Sequence, residues 1–150
     1  MHAYAKKIIP AVLFLLSLTF PFSWAETATP AKREILVESD HSWNGTKYSS
    51  YPAGAPQLTV LKLTIAPHSK LPWHTHPAPN SCYLLSGKLT VHDRESGKSV
   101  TYHQGEAFAE SVDRVHRGET GDEPAVLIVT YAGVVGQPTS IPVKGEASEY

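Results

Sequence analysis

Cysteine is almost missing from this 150-residue chain, in which Cys82 stands alone. One thiol cannot close an internal disulfide, so packing, with or without a metal, must stabilise the fold. Charge is sparse too, at 18% of residues with a net of −1. With no basic stripe, the chain gives nucleic acid no electrostatic grip. There is no Gly-rich phosphate cradle, no supported Ser/His/Asp arrangement and no acid pair of the glycosidase kind. No segment has a convincing helical period, and no internal repeat is visible.

The one long apolar run, Ile8–Trp24, follows Lys6 and Lys7 and ends at Ser23-Trp24-Ala25. Basic, apolar and small-residue regions in that order predict a secretory signal peptide over residues 1–25, cleaved after Ala25. Pro10 and Pro21 interrupt the run, and it is short for a membrane span of about 20 residues. An uncleaved N-terminal anchor is the alternative. No cysteine follows the cleavage point to carry a lipid. The expectation is a secreted or periplasmic protein without a stable membrane anchor. Its mature part has 11 basic and 14 acidic residues, a net charge of −3.

Residues 26–33 are rich in Ala, Thr and Pro and read as a flexible leader. From residue 34 to 150 short apolar stretches alternate with turn residues. Strands are expected at Ile35–Val37, Leu58–Ile65, Trp73–His76, Cys82–Val91 with a break at Gly87, Val100–Tyr102, Ala107–Ala109, Val115–Arg117 and Ala125–Tyr131. Strands this short, punctuated this often, predict an all-β, single-domain antiparallel barrel or sandwich. His41–Pro56 reads as a long loop, and the tail after Gly136 as an irregular strap across the surface.

The chemistry concentrates in histidine. His74 and His76 stand at i and i+2, so on a strand they share a face, roughly 6–7 Å apart. Two imidazoles so placed can converge on one ion at about 2.0–2.1 Å each. Alone, a His-x-His pair is weak evidence, because exposed strands carry such pairs by chance.

The surrounding spacing resembles the cupin family. His68, five residues, His74-Thr75-His76, three residues, Asn80, six residues, Gly87 keeps the frame of that family's first motif. Gly105, five residues, Ser111-Val112-Asp113, two residues, His116, three residues, Thr120 keeps the frame of the second. The resemblance covers Leu58 to Tyr131 and implies a jelly-roll barrel holding one divalent transition metal on His74, His76 and His116. Fe, Mn, Zn, Cu and Ni all remain open. It also implies dioxygenase-, isomerase- or hydrolase-like chemistry on a small molecule, and a tendency to pair as a homodimer.

Four positions depart from the pattern. His68 replaces the first motif's Gly, Asn80 its Glu, Ser111-Val112-Asp113 the Pro-x-Gly of the second, and Thr120 its Asn. Asn80 removes the charge of the expected fourth ligand. Glu110 is a candidate replacement, although a solvated rim position or a pair with Arg114 or Arg117 is the expectation preferred. Cys82 should share the inward face with Asn80 and Leu84, as a small buried filler or as a thiol near the metal. His41, His92 and His103 read as surface residues, while His68 has a further possible place over the barrel mouth. Trp43, Tyr48 and Tyr51 are expected to strap the barrel or line a dimer interface. Two functions follow, a small-molecule metalloenzyme or a non-catalytic metal- or ligand-binding module. A barrel that has lost its metal is a third.

Overall fold

The alternation in Leu58–Ile65 becomes β1, Pro56–Ile65, with Thr59, Leu61, Leu63 and Ile65 turned inward and Leu58, Val60 and Lys62 outward. This computed structural model describes residues 31–150, so the expected signal peptide, its cleavage point and most of the leader lie outside the described residues. β2 is His74–Thr75, β3 Asn80–Ser86, β4 Lys88–Asp93, β5 Ser99–His103, β6 Ala107–Ala109, β7 His116–Glu119, β8 Ala125–Val134 and β9 Ile141–Pro142. They form two antiparallel sheets, in the orders β1-β8-β3-β6 and β5-β4-β7-β2-β9. The described residues contain no helix.

The two inner faces meet over Ile65, Leu84, Leu89, Val91, Phe108, Leu127 and Val129, all at most 4% exposed. Burying each large aliphatic of this set contributes about 1.5–3 kcal/mol. This is the expected all-β jelly-roll, with most strands where the alternation placed them.

Two expectations are corrected. Ile35–Val37 is not a strand; it finds no backbone partner among the described residues, and its side chains stay 53%, 50% and 37% exposed. The stretch after Gly136 is more than a surface strap. Within it β9 adds a strand beside β2, with Thr75 opposite Ile141. The loop from His41 to Ala55 does strap the barrel: Trp43 N–H donates to the Ala109 carbonyl at 2.9 Å, and the Tyr48 hydroxyl to the Glu110 carbonyl at 2.6 Å. Asn44 Nδ2 fastens the same loop to buried Asp93 at 2.6 Å.

Two non-glycine residues have left-handed backbone, His68 and Asp113, each with φ of 54°. Both stand where the cupin pattern has glycine. The turns have therefore kept their shape after losing the residue that adopts it freely, and Asp and His are among the side chains that tolerate it best. Asp113 also donates its N–H to the His76 carbonyl at 3.0 Å, so its turn supports a candidate ligand. Asp113→Gly is expected to change stability by less than about 1 kcal/mol, while the β-branched Asp113→Val loses about 1–2 kcal/mol. Urea unfolding of the two variants checks this, and equal stability would contradict it.

Candidate metal centre

β2 and β7 pair with His74 directly opposite His116, so one backbone register closes a long gap in sequence. His76 follows on the same face, and the three side chains are buried, at 2%, 2% and 1% exposure for His74, His76 and His116. Their ring centroids are 4.6–4.9 Å apart and the rings are tilted 58–62° to one another, like blades about an axis.

Backbone carbonyls set the tautomers. His74 Nδ1 is 2.8 Å from the Pro72 oxygen, His76 Nδ1 2.7 Å from that of Thr139, and His116 Nδ1 2.8 Å from that of Arg114. A carbonyl only accepts, so Nδ1 carries the proton and, in each neutral ring, Nε2 carries the lone pair. One ligand atom from each ring lies within 4.8 Å of the others. Donors about 2.1 Å from one ion stand roughly 3 Å apart when adjacent and about 4.2 Å apart when opposite. The cluster is thus slightly open, within a small inward movement of a coordination sphere.

Glu110 overturns the preferred expectation of a solvated rim residue. It is buried, with Oε2 3.3 Å from His116 Nε2 and Oε1 accepting from the Cys82 thiol at 3.4 Å. The arginines it was expected to pair with are engaged elsewhere. Arg114 binds Glu95 at 2.6 Å, and Arg117 lies over the Trp73 ring at 4.4 Å. Cys82 is a buried core residue as anticipated, and also touches the site through Glu110. Asn80 is buried on the same strand face, but it does not line the cavity around the three rings. Its Nδ2 donates to the Ala78 carbonyl at 3.2 Å, and its main-chain carbonyl accepts from Glu110 N–H at 2.9 Å. Across the β3–β6 ladder from Asn80, Glu110 brings to the three rings a carboxylate that Asn80 does not. His68 stays at its turn, mostly exposed and 3.7 Å from Asp122, and takes no part.

One contributor had no signal in the sequence. Glu149 sends its carboxylate in from the segment after β9, 5% exposed and 3.5 Å from His74 Nε2. It belongs to no motif frame and follows an irregular stretch, so spacing could not have found it.

Burial dominates the electrostatics. It presses His74 down to about 4, helped by His116, and His76 to about 3, so both rings are neutral at pH 7. Burial opposes the charged form of His116 as well, but the adjacent Glu110 overcomes it and raises that ring above the ordinary histidine value. Burial likewise pushes Glu110 upward, yet the three imidazoles, His116 foremost, hold it down to about 2. Glu149 is lifted by burial to about 7. Burial and Glu110 drive the Cys82 thiol upward, which keeps it a protonated donor.

The enclosed space among these groups is about 20 Å³. That is room for one water-sized body and too little for an organic molecule. His116 Nε2 and Glu149 Oε2 are buried there without a hydrogen-bond partner. Two neutral imidazoles, a third whose Nε2 proton an ion would displace, and the carboxylates beside them around one small void suit a divalent transition ion.

A family model described as a cupin domain matches residues 61–131. The matched segment, which holds most of the barrel's strands, is a cupin domain. Among solved structures, this cupin is similar to the DMSP lyase DddQ from Ruegeria pomeroyi DSS-3, with a TM-score of 0.54 and 18% identity over 69% of this chain and 49% of that one. A structure of the DMSP lyases RdDddP and RnDddQII gives a TM-score of 0.51 at 19% identity, covering 58% of this chain and 44% of that one. An uncharacterized protein with a double-stranded β-helix domain from Klebsiella pneumoniae gives 0.50 at 18% identity, over 65% and 91%. At these identities the likeness is one of fold. The cupin spans about half the length of the lyase chains. No curated protein matches it.

Proposed function

We propose that this cupin is an exported metalloprotein that holds one divalent transition ion on His74, His76 and His116 with Glu110 as a further donor, and uses it on a small molecule. The observation that carries the reading is the three-fold lock of Nδ1 on backbone carbonyls, which aims three Nε2 atoms at one void, two as free lone pairs and that of His116 with a proton shared toward Glu110 that an ion would displace. A bound ion would supply Lewis acidity, a more acidic water or, as iron or copper, dioxygen chemistry. The protein's own share is to orient the rings, exclude water and hold a charged carboxylate beside them. Glu110 is the group placed to bind the ion or to take a proton from a molecule next to it. Tyr131, its ring 5.4 Å from that of His76, forms part of the wall. Burial raises its phenol, which therefore stays protonated.

The reactions fitting this centre are dioxygenase- or isomerase-like. A second reading, a module that binds metal or a small ligand without turnover, draws support from the tight cavity, which admits no substrate as it stands. Leu58 and Val60 on the outer side of edge strand β1, 72% and 59% exposed, favour the expected homodimer.

Protein recovered from the exported fraction should begin at Glu26 and carry about one equivalent of metal, and His76→Ala should carry almost none. Elemental analysis decides the metal, and equal content in the two proteins would defeat the site. Oxygen uptake and a substrate panel, including the DMSP named for two fold relatives, separate enzyme from binder. Metal affinity should also fall as pH drops. The fall should begin above the ordinary histidine pKa of 6.5, because Glu110 makes the His116 proton harder to displace.

A further inference from the structure

The segment after β9 is held against the barrel by its own contacts. Val143 N–H donates to the Trp73 carbonyl at 2.9 Å, and the Tyr150 hydroxyl lies 2.8 Å from Thr139 Oγ1 and 3.4 Å from Tyr131 Oη. Lys144 to Ser148 are exposed, whereas the side chain of Glu149 turns inward. Among the described residues its Oε2 has no donor in hydrogen-bond geometry and stands 3.5 Å from His74 Nε2, with the Ser140 hydroxyl, ahead of His116, favouring its charged form. That nitrogen has no proton to offer, since the proton of His74 lies on Nδ1, toward Pro72. Either a proton on the carboxyl or a cation must lie between these two buried acceptors, and an ionised Glu149 leaves only the cation.

Building on the metal centre above, we propose that Glu149 is a ligand of the same ion, so that the donor set is three imidazoles and two carboxylates and the segment after β9 closes the site. The separations agree with this. Carboxylate oxygens of Glu110 and Glu149 stand 3.3 and 3.5 Å from His116 and His74 Nε2, near the roughly 3 Å expected for neighbouring donors on one ion. The charges agree as well, because two carboxylates neutralise a divalent ion. Five donors of this kind suit Mn(II), Fe(II), Co(II) or Ni(II) better than a four-coordinate structural zinc.

The test uses full-length mature protein, stripped by chelator and titrated with Mn(II) and Co(II), as wild type, Glu149→Gln, Glu149→Asp and His76→Ala. Glu149→Gln should bind Mn(II) at least about 10-fold more weakly and change the visible bands of Co(II), while the metal-free midpoint stays at or above that of wild type. Unchanged affinity and bands would overturn the proposal. So would weaker binding with unchanged bands, since Glu149 would then act from outside the coordination sphere. If Glu149→Gln does not fold, Glu149→Asp decides by the same bands. Absence of metal uptake by wild type removes the underlying centre as well, whereas normal uptake lost only in His76→Ala removes Glu149 alone.

Discussion

Replacing His116 with alanine is expected to lower affinity for the divalent ion by more than about 100-fold and to weaken the metal-free protein as well. The first effect follows from removing one of three converging nitrogens, which should cost at least as much as losing an outer-shell partner. The second comes from Glu110. Its carboxylate is buried, and His116 is its nearest cationic neighbour, at 3.3 Å. Deleting the partner of a buried charge costs about 3–5 kcal/mol. Adding Glu110→Gln to His116→Ala should therefore recover much of the lost stability while metal affinity stays low. Chemical unfolding and metal titration on the three variants separate the two effects. If the double variant is no more stable than His116→Ala, the account of Glu110 as a buried, compensated charge is wrong.

Gly87→Ala should be the most damaging single methyl group in the barrel. Gly87 has a φ of +80°, and a methyl there would lie 1.9 Å from the Pro124 carbonyl oxygen. The left-handed backbone alone costs about 1–2 kcal/mol for alanine. The clash is with main chain, which cannot rotate away, so β8 must shift at Ala125, a fully buried residue opposite Ile65. A total of about 3–5 kcal/mol is a large part of the 5–15 kcal/mol that holds an ordinary domain together. The thermal midpoint should fall by more than about 10 °C. A fall of less than about 3 °C would show that the crossing from β3 to β4 yields more easily than its contacts imply.

The sequence revealed most of the strands and the His74–His76 pair because both obey short-range rules. Alternation marked β1, β3 and β8, turn residues marked their ends, and i, i+2 spacing paired His74 with His76. His116 was legible only through the resemblance, since no local rule says that it will lie opposite His74. Glu110 was visible as a candidate, but the wrong role was preferred for it. Its arginine neighbours in sequence suggested surface pairing, whereas Trp73 and Glu95 engage both arginines in space. Ile35–Val37 misled because β-branched and apolar residues need a partner edge before they form a strand, and none of the described residues offers one. Glu149 was invisible because its position depends on how β9 docks beside β2, a tertiary event with no periodic trace.

The lock on His76 bears on when the centre can take up its ion. The carbonyl that fixes this ring belongs to Thr139, which follows β8 in the chain. Until that residue has docked, His76 is free to present either nitrogen, and only two of the three rings are aimed. Metal capture should therefore be a late event, following completion of the barrel rather than nucleating it, and a chain exported as proposed would pass the ion by while still threading through the membrane.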